Sequence, residues 1–324
     1  MRNFLHLLRR HPQDEAFSPI ATRDDVMYCY RLFLGRQPDA EGWRYYTELV
    51  DNGDWSVGRL VASFTDSREY RTRRTTEHQA VAIALDGFRL YVRHDDKEVG
   101  APLAEAGQYE PHVTAELKSL LRDDTVFVDV GANIGYFTIL AASLVSSGKV
   151  IAFEPNRDNC ALIRMSLAAN GLHNVMLHPF AVSDADAEFA LDVVGSNGAL
   201  RDAPSTDDVI VRSVVLDDCV SDESRVDIIK MDIEGFEGRA LRGMTQTIAR
   251  HRPVLFSELL PEALVLRSRM PPDDYLMQIA QLGYDLFALP FAGRRSSMPQ
   301  TPAEILEAYS RARASHIDVV AYPH

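Results

Sequence analysis

The chain has 324 residues, room for about two domains at roughly 150 residues each. Hydrophobic residues make up 46% and charged residues 25%, a globular mix that excludes a disordered, collagen-like or disulfide-dense chain. Acids outnumber bases 47 to 34, and the net charge of −13 argues against a nucleic-acid grip or an anionic membrane partner, both of which would repel it.

The charge is unevenly spread. Residues 1–78 hold 12 basic and 12 acidic residues, so residues 79–324 carry the whole imbalance, 22 against 35. This predicts two differently built domains, 1–78 and 79–324. The start, Met1 to Arg10, has an apolar patch broken by His6, shorter than a signal-peptide core and with no small-residue cleavage site after it. No later apolar run is long enough to span a bilayer. The three cysteines, Cys29, Cys160 and Cys219, are odd in number and widely spaced. They suit neither a disulfide framework nor a CxxC metal site, and predict reduced thiols in a cytoplasmic protein with no structural metal.

Residues 1–78 read as helices. Asp24 and Asp25 open a periodic stretch that ends near Gly35, Glu41 to Leu49 has helical spacing, and Ser56 is placed to cap a third helix through Phe64. Both tryptophans, Trp43 and Trp55, lie here, with aromatics spaced as a core. The stretch RLFLGRQPDAEGWRYYTELVDNG, followed by VASFTDSREYRTR, resembles a small helical domain of unknown function that recurs in bacterial surface and polysaccharide-related proteins. That resemblance carries no chemistry. It implies docking of an acceptor or of polysaccharide-biosynthesis partners. Arg71 to Gln79 is polar and reads as a linker.

Beyond the linker the pattern changes. Phe88 to Val92 alternates like a strand, and Glu110 to Leu121 is helical with Pro111 suited to its first turn. Strands are then expected at 126–130, 150–153, 175–177, 226–231 and 253–257, with helices at 134–145 and 158–169. Continuous Val/Ile-rich strands between amphipathic helices predict a doubly wound, mostly parallel sheet. Two further strands, 284–289 and 317–322, are separated by one clear helix, 303–314, and 189–193 and 209–215 read as inserted strands.

The strongest motif is VFVDVGANIGYFT, residues 126–138: a buried strand ending in Asp129, then a glycine turn into a helix. Such a turn after the first strand marks a nucleotide-binding sheet. The loop, Gly131-Ala132-Asn133-Ile134-Gly135, is GxxxG rather than the dinucleotide GxGxxG. The Asp129 carboxylate would repel a pyrophosphate, but suits a ligand with an ammonium group and no phosphate, such as S-adenosylmethionine. Glu154, 19 positions after Gly135 at the end of the next strand and followed by Pro155, sits where such sheets hold ribose hydroxyls. KMDIEGFE, residues 230–237, ends the fourth strand with Asp232, Glu234 and Glu237, and Glu258 ends the fifth. Asp232 reads as a general base, assisted by Glu234 or Glu258, with a divalent cation held by two or three of the carboxylates as the alternative; Glu237 either belongs to this cluster or is an ordinary helix-start acid. Tyr109 and Tyr136 read as packing residues beside the pocket, and His112, His178 and His251 as edge or surface residues.

Taken in order, VFVDVGANIGYFT, VIAFEPNRDNCALIRMSLAANG, HPFAVSD, VLDDCV, DIIKMDIEGFEGRALRGM and RPVLFSEL resemble the FkbM family of S-adenosylmethionine-dependent methyltransferases, over residues 85–322. Gly195 to Asp208 matches no stretch of that pattern. The resemblance implies the class I methyltransferase fold, an α/β seven-stranded sheet with an antiparallel last strand, here preceded by a small all-α domain. It implies S-adenosylmethionine as cofactor, with Ala181 and Val182 of HPFAVSD beside it, and methylation of a hydroxyl on a sugar, glycan or related metabolite. Two other classes remain. A nicotinamide oxidoreductase is opposed by the missing GxGxxG. A non-catalytic scaffold in polysaccharide assembly is opposed by the intact Asp129, Gly131, Asn133, Glu154 and Asp232.

Overall fold

The computed structural model describes residues 20–53, 55–71, 80–93, 95–202, 208–291 and 295–324. The apolar start, all of the expected linker but Arg71, and residues 203–207 lie outside them. The chain divides into two compact units, 1–75 and 76–324.

In the first unit, α1 (Arg23–Cys29) begins at Thr22, whose side chain and that of Asp25 satisfy each other's backbone amides in a capping box. It continues as a π-type turn, Tyr30–Leu34. Asp39 caps α2 (Ala40–Asp51) and Ser56 caps α3 (Val57–Thr65). Each helix turns an apolar face inward, and Val26, Tyr30, Val50, Leu60 and Phe64 form a buried core. Tyr30 stands edge-on to Phe64 at 4.9 Å, a favourable aromatic geometry.

The second unit opens with the hairpin β1 (Ala80–Ala84) and β2 (Arg89–Arg93), followed by α4 (Gly100–Ala106) and α5 (Pro111–Leu120). β1 is a strand that the residue pattern did not announce. The doubly wound part follows: β3 (Val126–Val130), α6 (Tyr136–Leu144), β4 (Lys149–Phe153), α7 (Arg157–Asn170) and β5 (Val175–His178). An insertion of β6 (Ala181–Ser183), β7 (Glu188–Val194), β8 (Asn197–Arg201) and β9 (Val209–Val215) makes a separate four-stranded sheet. A short α8 (Leu216–Cys219) leads on to β10 (Ile228–Met231), α9 (Glu237–Arg242), α10 (Thr245–His251) and β11 (Val254–Leu259). The end comprises α11 (Pro261–Ser268), α12 (Pro272–Gln281), β12 (Tyr284–Leu289), α13 (Pro302–Ala312) and β13 (Ile317–Pro323).

The main sheet has seven strands in the order β12-β13-β11-β10-β3-β4-β5. β13 runs antiparallel to both its neighbours, and the remaining pairs are parallel. This is the class I methyltransferase arrangement with its reversed strand. Among the described residues, no helix is long and apolar enough to cross a membrane.

Strand alternation builds the site. Side chains two apart share a face of the sheet. Phe127, Ile228, Phe256 and Val320 are packed in one core cluster on one face. Two residues nearer the carboxyl edge on that face come Asp129, Lys230, Glu258 and Asp318, with Asp232 a further step out. The register sets Lys230 beside Asp129 and Glu258 beside Asp318. A dry apolar layer thus gives way to a layer of ionisable groups, at the edge where open α/β sheets bind ligands.

Candidate active site

A cavity of about 320 Å³ opens at this edge. Gly131, Asn133, Phe153, Glu154 and Pro155 form one wall, Ala181 and Val182 another, and Asp232, Glu234, Glu258 and His316 a third. Tyr109 and Glu110 also line it. No lysine or arginine does, among the described residues.

The glycine turn is held from two sides. The Gly131 and Ala132 amides both donate to the Phe153 carbonyl, each at 3.0 Å, which ties the turn to the end of β4. Gly131 has φ 85, and a Cβ there would overlap the Asp232 carbonyl oxygen, so only glycine lets β3 and β10 end side by side. Glu154 is buried and accepts the Asn133 amide at 2.7 Å and the Asn156 amide at 2.8 Å. Burial nonetheless outweighs these donors and pushes its carboxyl up to about 8.

The sequence-derived cofactor set separates into lining and supporting residues. Gly131, Asn133, Glu154, Pro155, Ala181 and Val182 line the cavity, and Ala132 lines a small crevice beside it. Asp129 and Gly135 line neither. The expectation that Asp129 faces the ligand's ammonium group is therefore corrected. Its carboxylate is fully buried under the turn, where it accepts the Thr138 hydroxyl at 2.6 Å and leaves Oδ1 without a hydrogen bond. The reason is register: the Asp129 side chain points at α6, toward Thr138, rather than out of the edge.

The charged wall centres on Lys230. Its ammonium lies 2.8 Å from Asp232 Oδ2 and 4.6 Å from the centre of the Phe137 ring. Burial alone would lower Lys230, but the carboxylates of Asp232, Glu110 and Asp129 outweigh it and hold the ammonium charged. Burial alone would raise Asp232, yet Lys230 and a hydrogen bond with Glu258 keep it below the usual carboxylate range. Glu258 moves the opposite way, pushed well up by burial and by Asp232. The two neighbouring carboxyls thus shift in opposite directions, Asp232 down and Glu258 up. Asp232 is thus ion-paired with Lys230, which weakens a carboxylate as a proton acceptor. Glu110 is pushed up to about 8, by burial first, against relief from Lys230. Burial, then Asp232, also raises Glu234, whose backbone takes the left-handed conformation at φ 57 and whose carbonyl accepts Arg267. Glu237 is buried away from the cavity and accepts the Ile233 amide at 2.9 Å, closing the turn after β10.

Three groups were not legible in the sequence. The β7–β8 hairpin tip, inside the stretch that matched no known pattern, docks on the glycine turn. The Asn133 amide nitrogen Nδ2 donates to Asn197 Oδ1 at 2.9 Å, and Asn159 Nδ2 donates to the Ser196 carbonyl at 2.8 Å. Ser196, Asn197, Gly198 and Leu200 thereby line the cavity. His112, read as an edge residue, is largely buried at 13% exposure and lies 2.7 Å from Asp318. His316, which no motif marked, lines the cavity beside Glu258. By contrast, His178 stacks on Phe153 at 4.8 Å outside the cavity. Tyr109 lines the cavity, and Tyr136 packs against it at 5.6 Å. Cys29 and Cys160 are buried and Cys219 half-buried. Among the described residues, no group of three His, Cys, Asp or Glu side chains could hold a metal ion.

The sheet order, the glycine turn and the acid at the end of the next strand define a class I methyltransferase fold with its ligand crevice intact. Residues 129–286, just under half of the chain, match the family model of the methyltransferase FkbM domain. Over that segment the chain is similar to the FkbM methyltransferase domain. The hexuronic acid methyltransferase AglP of Haloferax volcanii is 27% identical over 129 residues, 39% of this chain and 52% of that protein. The chain thus spans about half the length of this curated relative. Among solved structures, methyltransferase FkbM from Methylobacillus flagellatus is 17% identical, with 87% of this chain and 71% of that one covered and a TM-score of 0.43. The M. jannaschii protein TYW2, solved in complex with AdoMet, is 14% identical, with 75% and 85% covered and a TM-score of 0.38.

Proposed function

We propose that the protein is an S-adenosylmethionine-dependent methyltransferase acting on a hydroxyl of a sugar, glycan or related metabolite. The observation that carries this reading is the charge of the cavity wall. Asp232 is held low and lines the cavity with the carboxyls of Glu110, Glu154, Glu234 and Glu258, and no lysine or arginine lines it among the described residues. Such a wall repels phosphates and suits a donor that is a sulfonium cation with no phosphate.

Bound there, S-adenosylmethionine supplies an activated methyl group. The chain's own residues do the rest. Glu154, fixed by two backbone amides, is placed to accept ribose hydroxyls. Asp232, held by Lys230, supplies fixed negative charge beside the donor. Ser196, Asn197, Gly198 and Leu200 line the cavity beside the glycine turn. Holding donor and acceptor at contact distance supplies much of the barrier reduction. Residues 1–78 are assigned the docking of a large acceptor or of cytoplasmic polysaccharide-biosynthesis partners. The relative AglP is a hexuronic acid methyltransferase, which supports a sugar-derived acceptor.

The test is incubation with methyl-labelled S-adenosylmethionine and a panel of nucleotide sugars, free glycans and methyl glycosides. Label recovered as an alkali-stable ether supports the reading. Donor binding with no transfer to any panel member favours the non-catalytic scaffold instead.

A further inference from the structure

We propose that His316, just before β13, is the general base that takes the proton from the acceptor hydroxyl; the assignment rests on the methyl-transfer reading above. Of the three acids that sequence reasoning favoured, Asp232 is engaged by Lys230 and Glu258 by its hydrogen bond with Asp232, while Glu234 lines the cavity with its backbone carbonyl held by Arg267. His316 is the imidazole that lines the same cavity. Its Nε2 is buried and makes no hydrogen bond among the described residues. A buried polar atom of this kind is normally satisfied, and because the His316 ring lines the cavity, a bound hydroxyl is the hydrogen-bond partner it lacks.

The surroundings fit a ring that must become cationic. Glu258 Oε1 lies 3.3 Å and Asp318 Oδ2 3.8 Å from Nε2, and His112 on α5 reaches the same Asp318 oxygen at 2.7 Å. Phe291 stands edge-on to both imidazoles, at 5.0 Å from His316 and 4.9 Å from His112, which fixes the ring planes. Ser315 Oγ lies 3.1 Å from Nδ1, a partner on the far side of the ring. In the step, a C–O bond forms between the acceptor oxygen and the donor's methyl carbon as the C–S bond breaks. The C–S electron pair stays on sulfur, leaving a neutral thioether. The hydroxyl proton passes to His316 Nε2, and the neighbouring carboxyl groups stabilise the imidazolium.

Two measurements test this. Treatment of the full-length protein with diethyl pyrocarbonate, followed by peptide mapping, should modify His316 in the native state. S-adenosylhomocysteine should protect it. Failure to react in the native protein, with reaction after denaturation, overturns the proposal, because the lone pair is then not available. In the labelled-donor assay, His316→Ala should lose about 10²–10⁴-fold in turnover. His316→Asn, which keeps a polar side chain of similar size, should lose as much. Both should bind S-adenosylmethionine as the wild type does, and added imidazole should restore part of the His316→Ala loss, which a structural role would not allow. Full turnover in either variant sinks the assignment alone. A wild-type protein that transfers no methyl sinks the functional reading and the assignment with it.

Discussion

Glu154, which is buried, and Glu110, which is half-buried, are carboxyls whose pKa values lie far above the ordinary range, each at about 8. In the unfolded chain both titrate near about 4.3. Between these values the unfolded chain is ionised while the folded one holds its protons, so the unfolded state binds fewer protons and stability falls as pH rises. The contribution is complete below the unfolded value and is lost through about pH 8. Thermal unfolding should therefore show a melting temperature that declines from about pH 5 to about pH 8. Glu154→Gln, which stays neutral, should flatten part of that decline. A melting temperature that rises over this window would contradict the burial argument. Asp232 gives no such decline, because Lys230 holds it ionised.

At the scale of elements, the junction of β3, the glycine turn and β10 is the tightest point of the site. Gly131→Ala would drive a methyl into the Asp232 carbonyl at a positive φ. It should cost roughly 3 kcal/mol or more and weaken donor binding. Gly171, which ends α7, also has a positive φ, but a Cβ there meets nothing within 4 Å. Gly171→Ala should cost only about 1–2 kcal/mol, the strain of the left-handed backbone, and leave binding unchanged. Urea midpoints for the two variants check the contrast, and equal losses would contradict it. The same comparison shows what the sequence can and cannot carry. GANIG and the apolar β3 were readable because backbone geometry demands glycine and burial demands a continuous apolar strand. The core strands were readable for the second reason. Asn197 and Ser196 were not, because a hairpin tip acquires its role only by folding back on a turn about 60 residues away. His316 and His112 were not, because their meeting depends on the reversed strand β13 and on α5, 206 residues apart for His112 and Asp318. Asp129 was misread because its side the sheet faces is set by register, which the motif does not show.

The whole molecule divides into two units with different cores, and every cavity residue lies in the second. The first has its own caps and its own aromatic cluster. A fragment of residues 79–324 should fold and bind S-adenosylmethionine with the affinity of the full chain. It should lose more activity on a large glycan than on a small glycoside. An insoluble fragment, or one unable to bind the donor, would overturn this modular account.

The central claim is that the carboxyl edge of the sheet binds S-adenosylmethionine, and calorimetric titration of the full-length protein tests it most directly. The account predicts one saturable site per chain. Glu154→Ala should weaken it roughly tenfold to a hundredfold, as expected for the loss of a buried carboxyl that can hydrogen-bond two ribose hydroxyls. No binding, or a dissociation constant unchanged in Glu154→Ala, would contradict it.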